Sequence, residues 1–242
     1  MLTICLKEGK LKNTWNKRLK TYWKGWGCQV LIIVIVVTSF RSAIAEMTKV
    51  DTGSMKPTIV EGDRFFVNKL AYDLKIPYTT LHITEWSPPQ RGDIVIFNSP
   101  IENKRLVKRV IGIPGDSIEM HNNQLIINGE KVTYEPVDHI RDSLQLLNKD
   151  FAQYGVIENL RGKRHPVQFI PRPGAITSFS LKSIPDGKYF MMGDNRNNSL
   201  DSRVFEFVDR NQIIGKATSV FYSVDINNDY KPRWERFFTK LP

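Results

Sequence analysis

The feature that most limits how this chain can fold is one apolar run near its start. Val30 to Val37 contains no polar residue, and its flanks from Trp23 to Phe40 extend the segment to 18 residues. A bilayer-spanning helix takes about 20 residues, so the stretch is just long enough to cross a membrane. Trp23 and Trp26 suit an interfacial aromatic belt, and Arg41 can snorkel to the far interface. Ahead of the run, residues 1–28 hold seven lysines and arginines against Glu8, which is +6 of the whole chain's net +10. Charge gathered there fits a cytoplasmic flank attracted to anionic phospholipid, at roughly 1 kcal/mol per residue. It argues against nucleic acid as a partner. The reading divides the chain into a basic cytoplasmic segment (1–25), a transmembrane anchor (26–45) and an exterior domain (46–242). A cleavable signal peptide is the rival, with Ala43-Ile44-Ala45 as its small-x-small site. The long basic leader, and Arg41 between the apolar core and that site, weigh against it.

Cys5 and Cys28 are the only cysteines, so nothing beyond the anchor can form a disulfide, which suits an oxidising exterior. His82, His121, His139 and His165 are scattered, and none has zinc-site spacing with a cysteine. They read as surface or loop residues, and no metal or cofactor is implied. From residue 50 onward the texture is β. Arg91-Gly92-Asp93 turns into the apolar run Ile94 to Phe97, and Leu106 to Ile113 ends at Pro114-Gly115. Ser117 to Met120 and Leu125 to Ile127 flank Asn122-Asn123, with Asn128-Gly129 following, a hairpin pattern. Tyr189 to Met192 and Ala217 to Val224 are further strands, while Leu144, Leu147, Phe151 and Tyr154 make the best helical spacing. The predicted fold is mostly β, an antiparallel sheet domain with a more variable insertion at about 130–185.

Three stretches carry candidate chemistry. Alternation along a strand puts Lys108 on one face with Leu106 and Val110, and Arg109 on the other with Val107 and Ile111. Apolar neighbours desolvate an ammonium and ease loss of its proton. A lysine with a pKa of about 8 is roughly 10% neutral at pH 7, against under ~0.1% at the reference value of about 10.4. Lys104, Arg105 and Arg109 close by equally allow a plain basic turn. In Gly53-Ser54-Met55-Lys56-Pro57, the glycine permits close backbone approach and the proline stiffens the chain after it, so a serine would be held at a fixed angle. A common Gly-Ser loop reads the same way. The third stretch, Gly193 to Arg203, is a polar loop directly after an apolar strand, suited to side-chain hydrogen bonds. Its alternatives are a solvated loop or a calcium loop, although EF-hand spacing is absent.

Together these stretches resemble the type I signal peptidases, membrane-bound enzymes with a Ser-Lys dyad. The likeness covers Thr52 to Thr58 with Gly62-Asp63, Arg91 to Val95, Lys108 to Gly112 with Pro114-Gly115-Asp116, and Gly193 to Arg203. It is weaker through Glu158 to Gly162, His165 and Trp234 to Phe238. The resemblance implies Ser54 as nucleophile and Lys108 as general base, with Ser199 orienting the amine by a hydrogen bond. It implies Thr52 and the Ser54 N–H as oxyanion donors, Asp201 and Arg203 as a supporting ion pair, and Met55 and Pro57 at the substrate site. Thr52 stands where relatives often have serine, and Asn197 where many have aspartate.

The implied partners are exported preproteins. The implied location is the cytoplasmic (inner) membrane, with the catalytic domain on the exterior or periplasmic side. The implied reaction is signal-peptide cleavage after small residues. A processing peptidase with a single client shares that chemistry. A self-cleaving Ser-Lys repressor would need a DNA-binding module where the apolar run stands, and a silent basic membrane-binding protein would not need the dyad.

Overall fold

The computed structural model describes residues 26–43, 45–76, 82–102, 104–136 and 155–242. The basic segment 1–25, His139 and the helical spacing at Leu144 to Tyr154 lie outside the described residues. Helix α1 (Trp26–Ala43) has 18 residues, about 27 Å at 1.5 Å per residue, against a hydrocarbon core of about 30 Å. Each residue from Val30 to Val37 is more than half exposed, so no face of this run packs on the domain. Among the described residues no helix is long and apolar enough to cross a membrane.

The strands are β1 (Ala45–Lys49), β2 (Asp63–Asn68), β3 (Asp73–Lys75), β4 (His82–Glu85), β5 (Ile94–Asn98), β6 (Arg105–Gly112), β7 (Ser117–His121), β8 (Gln124–Ile127), β9 (Glu130–Lys131), β10 (Thr133–Pro136), β11 (Gly155–Leu160), β12 (Lys163–Gln168), β13 (Phe179–Ser183), β14 (Lys188–Met192), β15 (Val208–Asp209), β16 (Ile213–Asp225) and β17 (Lys231–Pro232). The main sheet runs β1-β2-β16-β5-β6-β14-β15, with β17 added to β16. Smaller sheets are β10-β11-β12, β13-β7-β8-β9 and the hairpin β3-β4. All paired strands are antiparallel. The expected insertion at 130–185 contributes β9 to β13, with 137–154 outside the described residues.

Local sequence explains the turns. Asn122 and Asn123 take φ of 49° and 66° between β7 and β8, and Asn128-Gly129 take 53° and 77° before β9. Two consecutive left-handed residues match the twist of a two-residue hairpin, and asparagine and glycine tolerate that backbone best. Along β2 the alternation is strict: Asp63, Phe65 and Val67 point inward while Arg64, Phe66 and Asn68 point out. Strand β16 is longer than its sequence pattern shows, because register shifts at Ala217/Ser219 and Val220/Tyr222 interrupt the alternation.

Two features of the main sheet matter for function. Among the described residues strand β1 pairs on one side only, with β2. Strand β6 pairs with β5 along Arg105 to Arg109, but its pairing with β14 begins at Arg109, which leaves its first half with an open edge. Arg105 Nη1 donates to Glu46 Oε1 at 2.8 Å, tying the start of β6 to β1. The sheet therefore curls, and two unpaired edges face one cleft.

Candidate active site

The cleft has a volume of about 610 Å³ and is walled by Thr48 to Met55, Ile59, Ile96, Leu106 to Lys108, Asn198 and Leu200. Ser54 sits at its base in a 3₁₀ turn, Gly53–Met55, entered through Thr52 in extended backbone. The serine is 9% exposed and Met55 2%. Met55 and Ile59 belong to a cluster with Phe65, Val67, Ile94 and Ile96, so the turn is anchored in the core. Pro57 is buried behind the turn and is not part of the cleft wall.

A second segment clamps the turn. The Asn195 backbone N–H donates to Ser54 O at 3.0 Å, and Asn195 Nδ2 donates to Gly53 O at 3.0 Å. Gly193 lies against the same place: a Cβ there would stand 2.4 Å from both Ser54 O and Ser199 Oγ. Only glycine allows that approach.

Lys108 projects from β6 to meet the serine. Its Nζ lies 2.5 Å from Ser54 Oγ, and the residue is 2% exposed. Burial pushes its pKa down to about 8, against the pull of the Asp201 and Asp194 carboxylates and with help from the Arg203 charge. An amine neutral near pH 8 and in contact with a serine hydroxyl can take that proton. Thr52 Oγ1 is 3.4 Å from Ser54 Oγ, beside the space a reacting carbonyl would occupy. Ser199 Oγ is buried but makes no hydrogen bond to the amine. It stands next to the Ser54–Lys108 pair as a neighbour of Gly193, close enough to Asp201 to favour that carboxylate's ionised form.

Asp201 and Arg203 form a buried two-pronged pair, Nε to Oδ1 and Nη2 to Oδ2 at 2.8 Å each. Asp201 Oδ2 also accepts the Gly193 N–H at 3.0 Å. Burial pushes the Asp201 carboxyl up, but Arg203 and the Gly193 N–H bring it below the usual range.

Sequence reasoning missed a larger part of the support. Arg109, read as a residue of the opposite face or of a basic turn, is 1% exposed. It grips Asp194 through Nε and Nη2 at 2.9 and 2.7 Å. Thr58 Oγ1 donates to the same carboxylate at 2.5 Å. Arg196 pairs with Glu158, both fully buried. His165 is 2% exposed rather than on the surface, because the β11/β12 register sets it opposite Glu158, with Nε2 at 3.1 Å from Oε2. Burial and the Arg109 charge push its pKa down. The available signal was the density of Asp, Asn and Arg in 194–203, more than a solvated loop needs.

A hydroxyl joined to a buried amine, on a turn clamped from below, is an arrangement capable of nucleophilic chemistry. The signal peptidase family, peptidase S26, matches over residues 23–222. Signal peptidase I of Pseudomonas aeruginosa is 37% identical over 207 residues, covering 80% of this chain and 69% of that protein. Signal peptidase I of Bacillus amyloliquefaciens is 36% identical over 208 residues, covering 86% and 89%. A crystal structure of a signal peptidase I from Enterococcus faecalis V583 is 32% identical and covers 54% of this chain and 97% of its own, with a TM-score of 0.33. This chain belongs to the signal peptidase family, peptidase S26.

Proposed function

We propose that this chain is a membrane-anchored serine endopeptidase that removes signal peptides from exported preproteins, with Ser54 as nucleophile and Lys108 as general base. The observation that carries the reading is the 2.5 Å contact between Lys108 Nζ and Ser54 Oγ in a setting that brings the lysine to about 8. Neutral Lys108 takes the Ser54 proton as Oγ attacks the scissile carbonyl. The Ser54 N–H and the Thr52 hydroxyl hold the oxyanion, where charge develops only on the way to the transition state. Lys108 then gives its proton to the leaving amine, and water activated by the same amine releases the acyl group.

Specificity follows from the cleft. Met55, Ile59, Ile96, Leu106 and Val107 form an apolar wall, which supports a preference for small apolar side chains before the scissile bond. The unpaired edges of β1 and β6 offer backbone partners for an extended substrate. The exposed apolar run of α1 leads directly into β1, one wall of the cleft. Anchoring there, with residues 1–25 on the cytoplasmic side, would hold enzyme and substrate on one membrane surface. The domain would then lie on the exterior face.

The test incubates the detergent-solubilised full chain with a preprotein carrying a standard signal peptide. Ser54→Ala and Lys108→Ala should each lose several orders of magnitude in turnover while remaining folded. Lys108→Arg should be equally inactive, because a guanidinium stays charged at any usable pH. Full activity in Lys108→Arg would remove the lysine from the base role.

A further inference from the structure

A scissile carbonyl at Ser54 divides the substrate in two. The residues before the bond have the apolar wall of the cleft. The leaving amine must lie within reach of Lys108, and Asn198 and Leu200 line the same cleft as that lysine. Both residues are also walls of a second groove of about 250 Å³, which continues between Arg172 to Ile176 and Val204. Leu200 is 38% and Val204 53% exposed, so two apolar side chains face solvent along its length. At its far rim Arg172, which is exposed, donates to the Asn198 side-chain oxygen, a neutral acceptor, rather than to a carboxylate.

We infer that this second groove seats the first residues of the substrate beyond the scissile bond. It receives them as an extended peptide, with an apolar or small side chain over Leu200 and Val204 and an acidic side chain toward Arg172. The inference rests on the peptidase reading above and deepens it. Continuity with the cleft carries the argument: the wall that separates the two spaces, Asn198 to Leu200, belongs to the segment whose Gly193 and Asn195 clamp the nucleophile turn. A peptide that leaves the cleft past Leu200 therefore enters the second groove directly. The preference for acid at the far end follows from Arg172, which pairs with no carboxylate among the described residues. An exposed pair of this kind is weak, so the expected discrimination is modest.

The experiment uses the full chain in detergent and preprotein substrates that differ only after the cleavage site. Glutamate or lysine is placed at each of the first four positions in turn. Wild type should favour glutamate over lysine by about three- to five-fold in kcat/KM at one of these positions. Arg172→Glu should reverse that ratio, and Val204→Lys should strengthen the preference for acid. Neither should change discrimination at positions before the bond. Both residues are exposed, so neither variant threatens the fold. A wild-type enzyme that cleaves all substrates with an unchanged charge ratio in both variants would overturn the inference and leave the peptidase reading intact. Failure of wild type to cleave any preprotein would overturn both.

Discussion

Burying Lys108 beside Ser54 carries a cost to the fold, and that cost can be measured. Its pKa falls from the reference value of about 10.4 to about 8 in the folded protein. The unfolded chain therefore binds a proton more tightly than the folded one. Below pH ~8 both states are charged and the folded state carries the whole penalty, about 3 kcal/mol from the shift. As pH rises from 8 toward 10.4 the folded state sheds its proton while the unfolded state keeps it, and the penalty disappears. Stability contributed by this group thus increases with pH across that window. Lys108→Met keeps most of the buried stem and removes the charge, so it should lack catalytic activity and be more stable than wild type at pH 7. The loss of the Ser54 Oγ contact would take back roughly 1 kcal/mol at every pH without changing the slope. The assay is paired thermal or urea unfolding of wild type and Lys108→Met at pH 7 and pH 10. The stability difference should shrink by about 2 kcal/mol between them, from about 3 to below ~1 before the constant offset. At the melting temperature that amounts to a change of roughly 4–8 °C in the gap between the two proteins. A gap that stays the same at both pH values would refute the idea that a desolvated ammonium sits at this position.

Three further outcomes are expected from the same geometry. Thr52→Ser should keep most activity, whereas Thr52→Val should lose roughly 10²–10³ in kcat with little change in KM; near-normal kcat in Thr52→Val would mean that backbone donors suffice. Gly193→Ala would set its Cβ 2.4 Å from Ser54 O, a backbone atom that can yield only by moving the turn, so turnover and melting temperature should both fall, and unchanged kinetics would sink the close-approach account. Arg203→Gln leaves the Asp201 carboxylate beside Lys108 without its partner, which should move the acid limb of kcat/KM to higher pH. Because breaking a buried pair costs about 3–5 kcal/mol, that profile is best recorded at low temperature, where an unmoved limb would count against any role for Arg203 in tuning the lysine.

Much of the fold was readable in the chain because it is local. Asn122-Asn123 and Asn128-Gly129 announce their hairpins through backbone preference alone. The alternation Leu106-Val107-Lys108-Arg109-Val110 sorts its side chains onto two faces without knowledge of the partners. The partners on those faces are not local. Arg109 meets Asp194 across 85 residues, and only the pairing of β14 with β6 brings the two together. His165 looks like a loop residue until β12 pairs with β11 and sets it against Glu158. The expected hydrogen bond from Ser199 to the lysine depends on side-chain rotamers within a crowded corner, which no spacing rule reports. The expectation of a membrane anchor at 26–45 comes from the apolar run and the basic residues ahead of it, a pattern of composition rather than of packing: each of Val30 to Val37 is more than half exposed.

The buried ion pairs of the 194–203 loop explain how the lysine can be lowered at all in acidic surroundings. Asp201 and Asp194 both act on Lys108, and both act to raise its pKa. A bare carboxylate even 8 Å away, at an effective dielectric of 20, is worth about 2 kcal/mol, roughly one and a half pK units. Two of them would cancel the effect of burial and leave the amine protonated at neutral pH. Each is instead held by a guanidinium: Asp201 by Arg203 and Asp194 by Arg109. Paired in this way, each carboxylate presents a dipole rather than a net charge, and its influence on the lysine falls away quickly with distance. The aspartates can then do structural work, taking the Gly193 N–H and the Thr58 hydroxyl, while burial sets the state of the amine. The arginines are in this sense part of the lysine's environment, although neither touches Ser54. A chain carrying Ser54 and Lys108 without Arg109 and Arg203 would keep the contact but hold the amine protonated at neutral pH.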